Sequence, residues 1–312
     1  MIIVNYNGGD FLRRCLLSLT MQVKRPSKVI VVDNNSEDDS AKAAAADSSV
    51  ELIKLDKNLG FAAAVNLGVA HADTADWIAL LNPDAFAEPE WLACFDLAIH
   101  EYPAYSSFAS RMMCHQRPGY MDGAGDAYHI SGRPWRISHG KLCSSKDLRS
   151  SEVFGPCGGA AVYQREKFVA LGGFDEDYFC YLEDVDFSFR SQLHGEKCLY
   201  LPNAVVSHIG SAITGRGSDF QVYYGQRNIV WTYCKNMPTS LLIFSLPLHL
   251  GMNILAVLVF TCRGQGKVVL RAKYDALLGL PKILRKRRRN MDQYSSSATA
   301  ILRVMRLAFF KT

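Results

Sequence analysis

The first hundred residues alternate short apolar runs with helix-spaced stretches, and that alternation restricts the fold more than any other feature. Residues 2–5 (IIVN), 28–32 (KVIVV), 50–55 (VELIKL) and 77–81 (WIALL) read as buried strands. Between them, 10–20 has helical spacing in Phe11, Cys15, Leu16 and Leu19, and 41–46, 61–71 and 88–100 also read as helices. β-Branched runs joined by helices predict a mostly parallel central sheet with right-handed crossovers. Ligands of such sheets bind beyond the carboxyl ends of the strands. Asn5-Tyr6-Asn7, Asp33-Asn34-Asn35 and Asn82-Pro83-Asp84 all fall there.

Residues 101–152 are less regular and rich in Gly, Ser, Arg and Tyr, which predicts connecting strands and a flexible loop. The pattern then sharpens into a small-residue strand at 157–163, a helix at 165–171, a turn at Gly172-Gly173-Phe174-Asp175 and a helix at 182–194. Two strand-like pieces, 199–202 and 204–208, follow. No internal repeat is visible.

Several of these residues suit chemistry, each with a structural alternative. Asp33, at the end of a buried strand, can accept from a pyrimidine N3–H or a ribose hydroxyl, or can make an Asx-turn and helix cap. Asp84 on a strand end can bind Mg²⁺ or Mn²⁺ beside a diphosphate, or can be a turn residue after Pro83. Glu183, Asp184 and Asp186 sit among Tyr178, Phe179, Tyr181, Phe187 and Phe189. Apolar surroundings disfavour the ionised carboxylate and can tune a general base, whereas acids also favour any helix start. His208 can complete a metal site as neutral imidazole, though a lone histidine at a strand end is more often structural.

Taken in order, the pieces resemble family 2 glycosyltransferases of the GT-A fold, and within them the bacterial rhamnosyltransferase-like branch. The matching residues are Ile2-Ile3-Val4-Asn5-Tyr6-Asn7, Val31-Val32-Asp33-Asn34-Asn35-Ser36 with Asp38, and Asn58-Leu59-Gly60-Phe61 with Asn66 and Gly68. They continue with Leu81-Asn82-Pro83-Asp84, Trp91-Leu92, Gly158-Gly159-Ala160, Gly172-Gly173-Phe174-Asp175, Glu183-Asp184-Val185-Asp186 and Val205-Val206 with His208. The likeness covers residues 1–235.

The resemblance implies an inverting transfer from a nucleotide-diphosphate sugar, with dTDP-rhamnose the expected donor. It implies a saccharide or lipid-linked glycan acceptor in cell-envelope polysaccharide synthesis. Donor contacts are expected from Asn5, Tyr6, Asp33, Asn35, Asn58, Gly60 and Asn82. Asp84 takes the place of the second aspartate of the metal-binding D-x-D, Asn82 replaces the first, and His208 is the expected compensating ligand for Mg²⁺ or Mn²⁺. Asp184 corresponds to the catalytic base, with Glu183 positioning the acceptor or the base. Two other classes are weighed. A dinucleotide-binding oxidoreductase lacks its G-x-G-x-x-G after the first strand, and a non-enzymatic scaffold with a decayed transferase domain must explain the retained acids at 33, 84, 183 and 184.

Charge divides the chain. From residue 263 onward there are 13 Lys/Arg against 2 Asp/Glu, whereas the preceding part has 22 against 28. An acidic body of 1–235 (a nucleotide half of about 1–100, an acceptor half of about 101–235) and a basic, apolar extension of 236–312 are the expected domains. No Lys, Arg, Asp or Glu occurs between Lys235 and Arg263, but Pro238, Pro247, His249 and Asn253 interrupt this stretch. Its apolar pieces 241–246 and 254–260 are too short to span a bilayer, which favours a broken, interfacial or re-entrant hairpin over a true span, with a buried pair of core helices the structural alternative. The run Arg285–Arg289 is expected to stay cytoplasmic, and 298–310 reads as a basic, apolar helix on anionic lipid. Together these place the chain at the cytoplasmic face of the inner membrane. No nucleic-acid partner is expected, because no nucleic-acid-binding fold accompanies the basic run. The nine cysteines form no C-x-x-C pair, so reduced thiols are expected. Met1 opens directly into a strand without a signal peptide, and the N-terminus reads as trimmed or mis-started.

Overall fold

Apolar strands that alternate their side chains between two faces need a helical layer on each. The computed structural model describes residues 1–210, 215, 217–291 and 294–306, and it builds those layers. β1 (Ile2–Asn5), β2 (Val29–Asp33), β3 (Val50–Lys54) and β4 (Trp77–Leu81) are parallel, in the order β4-β1-β2-β3. Their crossovers run through α1 (Gly9–Thr20), α2 (Ser40–Ala45) and α3 (Phe61–Ala70). Ile3, Val31 and Leu81 pack on one face with Leu12, Leu16, Trp91 and Phe95. Ile2, Val4, Ile30 and Val32 pack on the other with Val65, Val69 and Phe187.

The second half turns the sheet mixed. After β5 (Ala85–Ala87) and α4 (Trp91–Glu101) come β6 (Ser107–Cys114), β7 (Met121–Gly123), β8 (Asp126–Tyr128), β9 (Pro134–Arg136), β10 (Ser151–Val153) and β11 (Ala160–Gln164). α5 (Arg165–Ala170), α6 (Glu183–Leu193) and β12 (Cys198–His208) follow. The full order is β10-β12-β6-β11-β4-β1-β2-β3, with β11 antiparallel to both β4 and β6. Two expectations are corrected here. The irregular stretch at 101–152 contains β6, a long inner strand whose polar residues are accommodated internally: Ser110 Oγ accepts from Trp91 Nε1 at 2.9 Å. The pieces 199–202 and 204–208 are one strand, β12, with a register shift between Leu201 and Val205.

The expected boundary at 235 falls in the last turn of α7 (Asp219–Asn236), which leads into α8 (Thr239–Cys262) and α9 (Gly266–Met291). α8 is a single continuous helix through Pro247, not a broken segment. Two of the residues that read as interruptions, His249 and Asn253, lie with Ser245 on its inward stripe. Ser245, His249 and Asn253 recur every four residues, one helical turn apart. His249 stacks on Tyr233 at 3.8 Å and its Nδ1–H donates to Ser131 O at 2.7 Å. Ser245 Oγ meets Tyr233 Oη at 2.8 Å, and Lys273 Nζ donates to Asn253 Oδ1. The outward side is apolar, with Ile243, Phe244, Ile254, Leu255 and Leu258 all exposed.

α9 returns antiparallel to α8. Arg287 Nη2 donates to Thr239 Oγ1 at 3.0 Å at one end, and Gln265 Nε2 donates to Asp219 Oδ1 at 2.8 Å at the other. The start of α8 is thus tied to α9, the turn that follows it to the start of α7, and its middle to Ser131 through His249. Helix α10 (Ala298–Val304) corrects a further expectation: Ile301 and Met305 are buried with Tyr128 and Phe189 against the α/β body. The end of the expected helix, with Leu307, Phe309 and Phe310, lies outside the described residues.

Candidate active site

Two adjoining cavities open at the carboxyl ends of β1, β2 and β4. The larger, about 530 Å³, is lined by Tyr6, Asn34, Asn58, Asp84, His208 and the aromatic rings of Phe179, Phe220 and Tyr224, among others. The smaller, about 220 Å³, holds Asp126, Glu183 and Asp184. Phe61, Asn82, Arg136, Cys180 and Tyr181 line both, so the two meet at these residues.

Of the expected donor contacts, Tyr6, Asn58, Gly60 and Asn82 line the larger cavity. Asn58 Oδ1 accepts from Asn34 Nδ2 and Gly60 N, both at 2.9 Å, and so shapes the wall. Gly60 has φ +86°, and a Cβ there would lie 2.5 Å from Phe179 O, so only glycine fits. Asn5, Asp33 and Asn35 do not line the cavity. Asn5 is buried and its amide donates to Asp33 Oδ1 at 2.7 Å and to the Ser36 and Ser40 hydroxyls. Asp33 also accepts from Ser36 Oγ and Ser36 N. These groups brace the strand ends beneath the cavity, and Asn35 is an exposed turn residue with φ 63°. Asn34 is the residue of that turn that faces the cavity.

β12 carries His208 to Asp84 because it pairs with β5, His208 lying opposite Ala85. His208 Nε2 is 3.2 Å from Asp84 Oδ1, and its Nδ1–H donates to Asp122 Oδ2 at 2.7 Å. Asp122, on β7, also receives Arg136 Nη1 at 2.7 Å. Burial opposes a charge on His208, but hydrogen bonds to Asp122 and Asp84 and their charges outweigh it, raising it to about 9. Burial likewise works against ionised Asp122, yet hydrogen bonds from His139 and His208 and the charge of Arg136 hold it far below the usual range. The same arrangement suits a divalent cation. Asp122 fixes the ring through one nitrogen, and the buried Nε2 faces the Asp84 carboxylate at 3.2 Å. Among the described residues no cluster of three His, Cys, Asp or Glu stands ready for a metal, so further ligands would have to come from a bound diphosphate.

Glu183 and Asp184 open α6, preceded by Leu182 in left-handed conformation. Asp184 Oδ2 accepts from Gly158 N and Oδ1 from Val185 N, each at 2.8 Å. The approach is close: a Cβ on Gly158 would stand 3.3 Å from Asp184. Burial raises the Asp184 carboxyl, opposed by Gly158 N–H and Arg136. Burial, then the neighbouring Asp184 charge, pushes Glu183 well up, and its Oε2 has no hydrogen-bond partner. Asp126 is raised by the same two effects. Carboxyls in this state are poised to take a proton. Asp186, by contrast, points away into a buried ion cluster with Arg190 and Lys235.

Sequence reasoning missed Asp122, Asp126 and Arg136. All three come from the irregular stretch, where β8 and β9 pair Asp126 with Arg136. The available signal was Asp122-Gly123-Ala124-Gly125-Asp126, two acids separated only by small residues.

With this geometry in place, known proteins are informative. The family model described as "Glycosyl transferase family 2" matches residues 1–172. An N-acetylglucosaminyl-diphospho-decaprenol L-rhamnosyltransferase of Mycobacterium tuberculosis is 30% identical over 243 residues, covering 69% of this chain and 77% of that protein. S. aureus TarS 1-349 in complex with UDP-GlcNAc superposes with TM-score 0.60 at 15% identity, over 99% of this chain and 93% of that one. Mannosyltransferase PcManGT from Pyrobaculum calidifontis, in complex with GDP-Man and Mn²⁺, gives 0.53 at 17% identity, over 97% and 85%. Structural likeness at such identities shows the fold, which is GT-A.

Proposed function

The chain belongs to glycosyl transferase family 2 and is a glycosyltransferase, and on that premise we propose that it moves rhamnose from dTDP-rhamnose to a lipid-linked glycan with inversion. The observation that carries the reading is the junction of the cavities at Asn82 and Arg136, with Asp84 and His208 on one side and Asp184 on the other. The larger cavity takes the nucleoside diphosphate. The smaller takes the acceptor hydroxyl. The rhamnose and the diphospho-prenyl acceptor rest on the likeness to the mycobacterial rhamnosyltransferase.

In this reading the acceptor oxygen bonds to the anomeric carbon as the bond from that carbon to the diphosphate breaks. Asp184 takes the hydroxyl proton, and attack from the face opposite the diphosphate inverts the centre. Arg136, at the junction, meets the negative charge that appears on the departing phosphate oxygen. Mg²⁺ or Mn²⁺ held by Asp84 and His208 would supply Lewis-acid stabilisation of the same charge.

We read the division of the chain as a catalytic body, 1–235, with a membrane-facing extension, 236–312. α8 is long and apolar enough to cross a bilayer. Its start, however, is tied to α9, the turn after it to α7 and its His249 to Ser131, so it lies along the body and not away from it. The reading is therefore a helix lying in the interface, its apolar side in lipid and the basic side chains of α9 near anionic headgroups at the cytoplasmic face.

A thermal-shift screen with UDP-, dTDP-, GDP- and CDP-sugars, with and without Mn²⁺ or Mg²⁺, tests the donor. Metal-dependent stabilisation by dTDP-rhamnose is expected. Selective stabilisation by another nucleotide would replace the donor, and no shift with any of them in folded protein would favour a scaffold role.

A further inference from the structure

Between the short helical turn Glu176–Tyr178 and the first residue of α6, the backbone is left-handed at Phe179 (φ 64°), Tyr181 (φ 66°) and Leu182 (φ 66°). None of these is glycine, and bulky residues adopt that conformation only where the surroundings impose it. The segment decides what the site looks like. Cys180 and Tyr181 wall both cavities, and Leu182 leads directly into Glu183 and Asp184.

Residues 179–182 are only half-buried, so packing alone does not impose this backbone. The restraint comes from α7. Asn228 is fully buried, and its side-chain amide donates to the carbonyls of Tyr178 (3.1 Å), Cys180 (3.0 Å) and Tyr181 (2.7 Å). Its own Oδ1 accepts from Arg227 Nε at 2.9 Å, which turns the amide nitrogen toward the loop. Arg227 Nη2 adds bonds to the carbonyls of Asp177 and Tyr178, both at 2.9 Å. One amide thus spans three carbonyls that a left-handed chain presents to one side, the Tyr178 carbonyl being met by Cys180 N as well.

We propose that Asn228 is a positioning residue for glycosyl transfer, holding the strained 178–182 backbone in the arrangement that presents Asp184 and Glu183 to the acceptor-side cavity. The proposal rests on the reading of Asp184 as the base. Asn228 touches neither cavity itself and acts through the loop.

The test uses the full-length wild type beside Asn228→Asp, Asn228→Ala and Asp184→Asn. Aspartate keeps the shape of asparagine but turns a second oxygen toward the three carbonyls. Misplacement of a catalytic group by about 1 Å costs about 100-fold, so kcat of Asn228→Asp should fall on that scale while the donor KM changes far less. Amide hydrogen exchange should rise across residues 178–184 and stay unchanged in β1 and β4. If Asn228→Asp does not fold, Asn228→Ala carries both readouts. A folded variant with wild-type kcat, or with unaltered exchange across the loop, overturns the proposal. So does a failure of both variants to fold, which would make Asn228 a stability residue. An Asp184→Asn enzyme as active as wild type would instead remove the base reading, and the two failures are told apart in one experiment.

Discussion

Helix α6 bears buried carboxylates on two flanks, and the protein treats them in opposite ways. On one flank Asp186 accepts from Lys235 Nζ (2.8 Å), Arg190 Nε (3.0 Å), Asn236 Nδ2 (2.7 Å) and Tyr178 Oη (3.1 Å). Asp175 joins the same cluster through Lys235 and Lys286. Burial would raise Asp186, but Lys235 and Arg190 pull it below its ordinary value. On the other flank Asp184 and, across the cavity, Asp126 share the cation Arg136, Glu183 adjoins Asp184, and all three carboxyls are raised. Burial of a charge is structural where every oxygen is met. It becomes chemical where the carboxylate is met by backbone N–H groups, as Asp184 is, or left unmet, as Glu183 Oε2 is, and can take a proton.

The comparison can be broken in several places. The largest expected effect on stability is at Lys235, which is 3% exposed and bonded to both Asp175 and Asp186. Lys235→Met removes the cation the two buried carboxylates share, leaving Asp186 with Arg190 and Asp175 with Lys286, and should destabilise the fold by about 3 kcal/mol, read by urea denaturation. A change near zero would mean that the cluster is not what holds α7 to α6.

Next is Asp122→Asn, which removes the carboxylate that orients His208. Loss of such a partner typically weakens a metal about 10–100-fold, so calorimetric titration of Mn²⁺ with a nucleoside diphosphate present should show that loss. Unchanged affinity would detach His208 from the metal.

The smallest effect is at Glu183, and its sign is opposite to that at Lys235. A carboxyl raised above its ordinary 4.5 by burial and by Asp184 fits the fold best when protonated. Stability is therefore fullest below pH 4.5 and is lost as pH rises through the folded-state value. Glu183→Gln should raise the Tm by about 2–4 °C for each kcal/mol relieved at pH 8, and leave it almost unchanged at pH 4. A Tm that falls at pH 8 would place Glu183 with the structural flank.

How much of this was legible in the sequence depends on how local the determinants are. The four parallel strands and their helices were readable to within a residue or so at most ends, because each is an apolar run closed by a turn cluster. β6 was not, since Ser107, Ser110 and Arg111 break its apolar pattern and their partners lie far along the chain. α8 was misread for a related reason. His249 and Asn253 look like interruptions until Ser131 and Lys273 are seen beside them. At the site, Asp84, His208, Glu183 and Asp184 stood out as chemistry-bearing types at strand and helix ends. Asp33 did too, but Asn5 and Ser36 engage its carboxylate. Arg136 and Asp126 reach the cavity only through the β8–β9 pairing, which no short motif encodes.

The central claim is that the open flank of α6 performs the transfer, and replacing the Asp184 carboxylate with an amide tests it most directly. The measurement is single-turnover transfer from the donor that stabilises the protein, alongside donor affinity and Tm. The account predicts that Asp184→Asn loses about 10²–10⁴ in rate while donor affinity and Tm are retained. Transfer near the wild-type rate in a folded, donor-binding Asp184→Asn protein would contradict it.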